Sequence, residues 1–165
     1  MNYGNENGIG TMVKIDSELV GNVSAKAKNA GRKRMNHNFH QEQNDTLQRM
    51  LNAMEPGTYV RPHRHVAPAK REAFVILRGK VAFIEFDDYG TITETCIMDT
   101  AVGCYGAEIT PGAFHTLVSL EPGSVLYEIK DGPYDADTDK EFADWAPEEG
   151  SVEAVEYVEG LKGVL

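Results

Sequence analysis

The sequence predicts an all-β chain, an antiparallel sandwich or jelly roll, with one helix before it and short helices after it. Three observations carry this reading. Between Arg32 and Lys130 the chain divides into roughly eight or nine short stretches rich in β-branched and aromatic residues, punctuated by turns such as "EPG", "DDYG" and a second "EPG". No long helical period alternates with these stretches, which argues against a parallel α/β sheet. At the two ends, by contrast, apolar residues recur at helical spacing.

Taken in order, the first 13 residues are rich in Gly and Asn and read as a flexible terminus. Asp16 is placed to cap a helix in which Leu19, Val20, Val23 and Ala27 share a face, and Gly31 would end it. "RKRMNHNFH" alternates, with Met35, His37 and Phe39 on one face and Asn36, Asn38 and His40 on the other. "TLQRMLNAM", "TYVRPHRH", "EAFVILRG", "KVAFIEF", "TITETCIM", "CYGAEI", "PGAFHTLVSL" and "SVLYEIK" continue the series of strands. "DKEFADW" reads as a short helix. "SVEAVEYVEGLKG" reads as an amphipathic helix that lays Val152, Val155, Val158 and Leu161 on the barrel or on a neighbouring subunit. The expected organisation is a flexible stretch over 1–13, one domain over 14–150 that includes the first helix, and a C-terminal amphipathic helix over 151–165.

A chain of 165 residues with a 41% hydrophobic fraction can bury a core without staples. Its formal net charge of −10 argues against a nucleic-acid partner, because phosphate neutralisation needs a basic surface. The one basic cluster, "KNAGRKRMN", faces either solvent or an anionic small molecule. No apolar run is long enough to cross a bilayer, and no basic-then-apolar leader opens the chain. Cys96 and Cys104 lack zinc-ribbon spacing and read as buried thiols of a reducing compartment, so a cytoplasmic location is expected.

The chemistry concentrates in "RPHRHVAPAKREAFVILRG". Residues i and i+2 of a strand point to one side, so His63 and His65 present both imidazoles together, with Tyr59 and Arg61 at the same parity if the strand runs through Pro62. Glu72 shares a face with Phe74 and Ile76 on the next strand, and a hairpin can bring it beside the two histidines. A third imidazole, His115, follows a Pro-Gly turn far along the chain. His-x-His alone is a weak signal. Three imidazoles and one carboxylate meeting inside a barrel form a site for a divalent transition metal (Fe, Mn, Zn, Ni or Co) and suit calcium poorly. On a late strand Leu126, Glu128 and Lys130 share a face, which offers Glu128 and Lys130 as acid/base or anchoring groups. The polar face of Arg32, Arg34, Asn36, Asn38 and His40 could hold an anionic sugar or a nucleotide phosphate. His37 and His40 lie on opposite strand faces and make no second metal site. Trp145 and Tyr134 read as packing residues.

These residues resemble the cupin superfamily. Its first motif runs glycine, five residues, His-x-His, three or four residues, glutamate, six residues, glycine. Gly57, His63, His65, Glu72 and Gly79 fit that frame, except that six residues, "VAPAKR", separate His65 from Glu72. That spacing leaves open whether Glu72 reaches the metal or stands just outside it. In the second motif Gly112 and His115 fit, Pro111 is displaced by one position, and Ser119 stands where asparagine is usual. "RMNHNFH", "QRMLNAMEPGTYVRPHRH", "FDDYG", "PGAFHTLVSLEPGSVLYEIKDGPY" and "FADWAPEEG" are similar to the WbuC-type cupin-fold metalloproteins, over about Ile15 to Gly150. The resemblance implies a bacterial double-stranded β-helix with one metal at His63, His65, Glu72 and His115, and an association with surface-polysaccharide gene clusters. The leading expectation is a metal-dependent isomerase or epimerase of a sugar or nucleotide-sugar intermediate. Glu128 and Lys130 would act in catalysis, and Tyr59, Arg61, Arg34, Asn36, Asn38 and His40 in binding. An Fe(II)-dependent dioxygenase and a non-catalytic metal-dependent binding module are the alternatives. A homodimer with a small-molecule ligand, and with neither nucleic acid nor membrane as a partner, completes the reading.

Overall fold

A computed structural model describes residues 12–165 of the chain, so the expected flexible terminus lies almost wholly outside the described residues. Helix α1 (Ser17–Asn29) starts where the Asp16 carboxylate accepts from the Leu19 amide at 3.0 Å, as the sequence predicts. Ten strands follow: β1 (Arg34–Asn38), β2 (Leu47–Met54), β3 (His63–Arg64), β4 (Glu72–Arg78), β5 (Lys80–Phe86), β6 (Ile92–Asp99), β7 (Gly106–Ile109), β8 (Phe114–Ser119), β9 (Ser124–Asp131) and β10 (Glu141–Phe142). Helix α2 (Val152–Gly163) ends the chain, capped by the Ser151 hydroxyl on the Ala154 amide at 3.1 Å.

The strands form two five-stranded antiparallel sheets, ordered β1-β2-β9-β4-β7 and β10-β3-β8-β5-β6. This is the expected jelly roll. The chain changes sheets between β4 and β5 at Gly79, whose φ is +77°. A Cβ there would sit 2.4 Å from Ser124 Oγ and 2.8 Å from Ser124 Cα, so the crossing requires glycine.

Alternation along the strands divides the apolar residues into three layers. Phe74, Ile76, Val81, Phe83, Met98, Leu117 and Leu126 fill the space between the sheets. On the outside of the first sheet, Val20, Val23 and Ala27 of α1 cover Leu51, Ala53 and Val125. On the outside of the second, α2 covers Ala82, Ile84, Phe86 and Val118.

Three expectations are corrected here. "DKEFADW" is not a helix: Glu141 and Phe142 form β10, paired with Arg64 and His63 of β3, and an Arg64–Glu141 ion pair holds the contact at 2.5 Å. A pairing with a distant strand decides the conformation, and local periodicity carries no record of it. The inner stripe of α2 is Ala154, Val158 and Leu161, while Val152 and Val155 are 74% and 64% exposed. The small Ala154 lets the helix approach the sheet, which turns the two valines outward. Finally, Cys96 and Cys104 are half-exposed rather than buried.

Candidate metal centre

The antiparallel register of β3 and β8 sets His63 directly opposite His115. His65 follows at the same parity as His63. Glu72 comes from the other sheet, where it opens β4 between Ile109 of β7 and Lys130 of β9. Three imidazoles from one sheet therefore meet a carboxylate from the other inside the barrel. All four side chains are buried, and one donor atom from each lies within 4.8 Å of every other. The six-residue "VAPAKR" segment closes on itself through a Val66–Ala69 bridge and does not keep the carboxylate away. Glu72 Oε2 lies 2.9 Å from His115 Nε2 and 3.1 Å from His65 Nε2.

The hydrogen bonds on the far side of each ring decide what faces inward. Nδ1 of His63 meets the Arg61 carbonyl at 2.9 Å, Nδ1 of His115 meets the Ala113 carbonyl at 3.0 Å, and Nδ1 of His65 meets the Asp139 carbonyl. A carbonyl only accepts, so each Nδ1 carries the proton and each Nε2 offers a lone pair. Glu72 is an acceptor as well. His65 Nε2 and Glu72 Oε2 are both buried without a hydrogen bond despite their close approach. Lone pairs converging on one point call for a cation between them. Spacings near 3 Å suit two neighbouring donors each about 2.1 Å from one ion. The donor set fits a divalent transition metal.

Electrostatics agree with that assignment. Burial, helped by Lys140 and His115, pushes the His63 imidazole well below its usual value and keeps it neutral.

Beside these four side chains, β9 sends Glu128 and Lys130 into the same space. Lys130 Nζ lies 3.7 Å from Glu72 Oε1, and the Glu128 carboxylate accepts from Asn52 Nδ2 at 3.1 Å. Burial, with the nearby Glu72 charge, raises Glu128 above the ordinary carboxylate range. Burial opposes the Lys130 charge, yet Glu72, Glu128 and Asp139 raise it overall. The Asp139 carboxylate bridges Lys70 at 2.5 Å and Lys130 at 2.8 Å while its own carbonyl holds His65. Asp139 thus touches His65 directly and Glu72 through Lys130.

A cavity of about 790 Å³ opens from this wall. Arg34, Asn36, Asn38, His40 and Arg61 line it, together with Glu128 and Lys130. Tyr59 does not, because β3 begins only at His63; its hydroxyl donates to the Pro147 carbonyl at 2.8 Å among residues that pack under α2. Arg34 is partly committed, with its guanidinium on the Tyr59 carbonyl at 2.7 Å and on Glu149 at 2.9 Å. Asn52, only 9% exposed, lines the cavity and keeps a buried Oδ1 without a hydrogen bond. Lys140 stands at the mouth of the cavity, where desolvation by the surrounding protein and then the Lys130 charge push its ammonium below the usual value. Asp139, Lys70, Lys140 and Asn52 escape a reading of the sequence. The first three lie in polar stretches that look solvated, and Asn52 is a lone amide in an apolar strand.

Residues 15–98 match a family described as a domain of unknown function, DUF6016. The chain belongs to that family. The matched part of this DUF6016 protein holds His63, His65 and Glu72, while His115, Glu128, Lys130 and Asp139 lie beyond it. No curated protein matches the chain. Among solved structures, it is similar to L-ribose isomerase from Cellulomonas parahominis with L-psicose (TM-score 0.52, 13% identity, 68% of this chain and 70% of that one). It is also similar to the DMSP lyase DddQ from Ruegeria pomeroyi (TM-score 0.50, 16% identity, 66% of this chain), spanning 51% of the lyase's length. A cupin superfamily protein from Desulfitobacterium hafniense aligns with a TM-score of 0.47 at 12% identity, over 59% of this chain and 76% of its own. At such identities the likeness is one of fold: the DUF6016 protein shares with these structures an antiparallel jelly-roll barrel. None of its described helices is long and apolar enough to cross a membrane.

Proposed function

We propose that this DUF6016 protein holds one divalent transition metal at His63, His65, Glu72 and His115 and isomerises or epimerises a sugar or nucleotide sugar. The observation that carries the reading is the pair Glu128 and Lys130, set beside Glu72 at the wall of a polar cavity. A metal in such a site supplies Lewis acidity to a substrate carbonyl or hydroxyl oxygen. Shifting a carbonyl along a sugar, or inverting a carbon beside one, requires a base that removes a proton and an acid that returns it. Glu128 serves as that group, since a carboxyl raised by burial exchanges protons nearer neutral pH than an exposed one. The Lys130 ammonium offsets the negative charge that develops as the proton leaves. Asn36 and Asn38 offer amide partners to ligand hydroxyls, and Arg61 and Lys140 favour an anionic group at the mouth. The WbuC-type resemblance supports a bacterial role in surface-polysaccharide synthesis, the two free thiols favour a cytoplasmic location, and the cupin resemblance favours a homodimer.

The test is proton exchange. Metal-loaded protein, incubated in D2O with a panel of aldoses, ketoses and nucleotide sugars, is expected to place deuterium on a sugar carbon, read by NMR. Glu128→Gln should lower that exchange at least about 100-fold while retaining the metal by elemental analysis. Absence of exchange with every metal and sugar, or undiminished exchange in the variant, would refute the assignment. The three-imidazole, one-carboxylate donor set also favours a second reading, Fe(II)-dependent dioxygen chemistry, which requires oxygen consumption by the iron-loaded protein.

A further inference from the structure

The two cysteines of the chain meet where it crosses from the second sheet back to the first. Strand β6 ends at Asp99 in one sheet and β7 starts at Gly106 in the other. A single 3-10 turn over Thr100–Val102 makes the connection, with the Asp99 carboxylate accepting from the Ala101 amide at 2.8 Å. Gly103, at φ +83°, reverses the chain, and Asp99 and Cys104 then exchange backbone hydrogen bonds of 2.9 and 3.2 Å. This closed turn presses Cys104 against β6, with its Sγ 3.3 Å from Cys96 Sγ. Both thiols are half-exposed and pack on the edge of the inter-sheet core. A disulfide bond is about 2.05 Å long, so closure needs each sulfur to move by well under an ångström. No other cysteine in the chain competes for either partner.

We propose that Cys96 and Cys104 form a redox site, which a disulfide oxidant such as oxidised glutathione converts into an internal disulfide. The Cys104 thiolate attacks one sulfur of oxidised glutathione, breaks its S–S bond and releases one glutathione. Cys96 gives its proton to solvent and attacks the Cys104 sulfur of the mixed disulfide, expelling the second glutathione. Two protein thiols are oxidised and one oxidised glutathione is reduced to two thiols, so atoms and electrons balance. Burial and the contact with Cys104 push the Cys96 thiol up to about 11, and the same disulfide results whichever thiol attacks first. The new bond would fasten the edge strand of one sheet to the chain entering the edge strand of the other. It would lie close behind the metal centre, because Cys96 pairs across the ladder with Phe83, whose ring stacks on His115 at 5.7 Å.

The experiment treats reduced, folded, full-length protein with oxidised glutathione and follows free thiols and intact mass. Both thiols are expected to disappear together, with the mass falling by two hydrogens, a single chain on a non-reducing gel and full reversal by dithiothreitol. Cys96→Ser should stop at one glutathione adduct on Cys104. Two adducts per wild-type chain, a disulfide between chains, or thiols that survive folded treatment yet react in urea would each overturn the proposal.

Discussion

Glu72 is the residue on which the proposed metal site turns, since one of its oxygens faces two imidazoles at 2.9 and 3.1 Å and the other faces Lys130 at 3.7 Å. Glu72→Gln preserves the shape and removes the charge. Its affinity for Zn(II) or Co(II), measured by calorimetry, should fall at least about 100-fold, because even partners outside the coordination shell are worth 10–100-fold. Unchanged affinity would place Glu72 outside the coordination shell. His63, His65 and His115 were legible as candidates because strand parity and the Gly-x-x-His pattern are local properties of the chain. Asp139 was not: within "DADTDKE" it resembles any solvated acid, and only the fold puts it between two buried lysines.

The segment between β9 and β10 acts as a strap across the cavity, pinned at Asp139. Burial opposes the Asp139 charge, but Lys130 and Lys70 outweigh it and depress its carboxyl. Asp139→Asn leaves two buried ammonium groups without their shared counter-ion. It should destabilise the fold by about 3–5 kcal/mol in urea unfolding, the usual cost of breaking a buried pair. A second tie joins the chain after α1 to the stretch before α2, through Arg32 and Arg34 on Glu149 at 2.6 and 2.9 Å. Burial would raise Glu149, yet the two guanidinium groups bring it from 4.5 to about 2. A depressed folded value means this tie stabilises fully above pH 4.5 and is lost as pH falls to about 2. Glu149→Gln should therefore cost about 1 kcal/mol or less at neutral pH, since the pair is partly solvated. The variant's stability should converge with that of wild type near pH 2. At this scale α1 and the long strands were legible, and β10 was not, because a two-residue strand exists only through its partner.

For the whole molecule, turn spacing and alternation made an antiparallel jelly roll legible, but not the order of strands within each sheet. That order is what joins the halves of the centre, with His63 on His115 in one sheet and Glu72 between β7 and β9 in the other. The register has a kinetic consequence. An ion cannot be gathered until two strands far apart in sequence have aligned and the sheets have closed on each other. Such non-local pairings form late, after the loop-closure entropy has been met. Stopped-flow refolding should therefore proceed at the same rate with Zn(II) or with chelator. Unfolding should slow with Zn(II) in proportion to the binding, because the ion stabilises the native state and not the barrier before it. The metal would then lengthen the lifetime of the assembled barrel without hastening its formation.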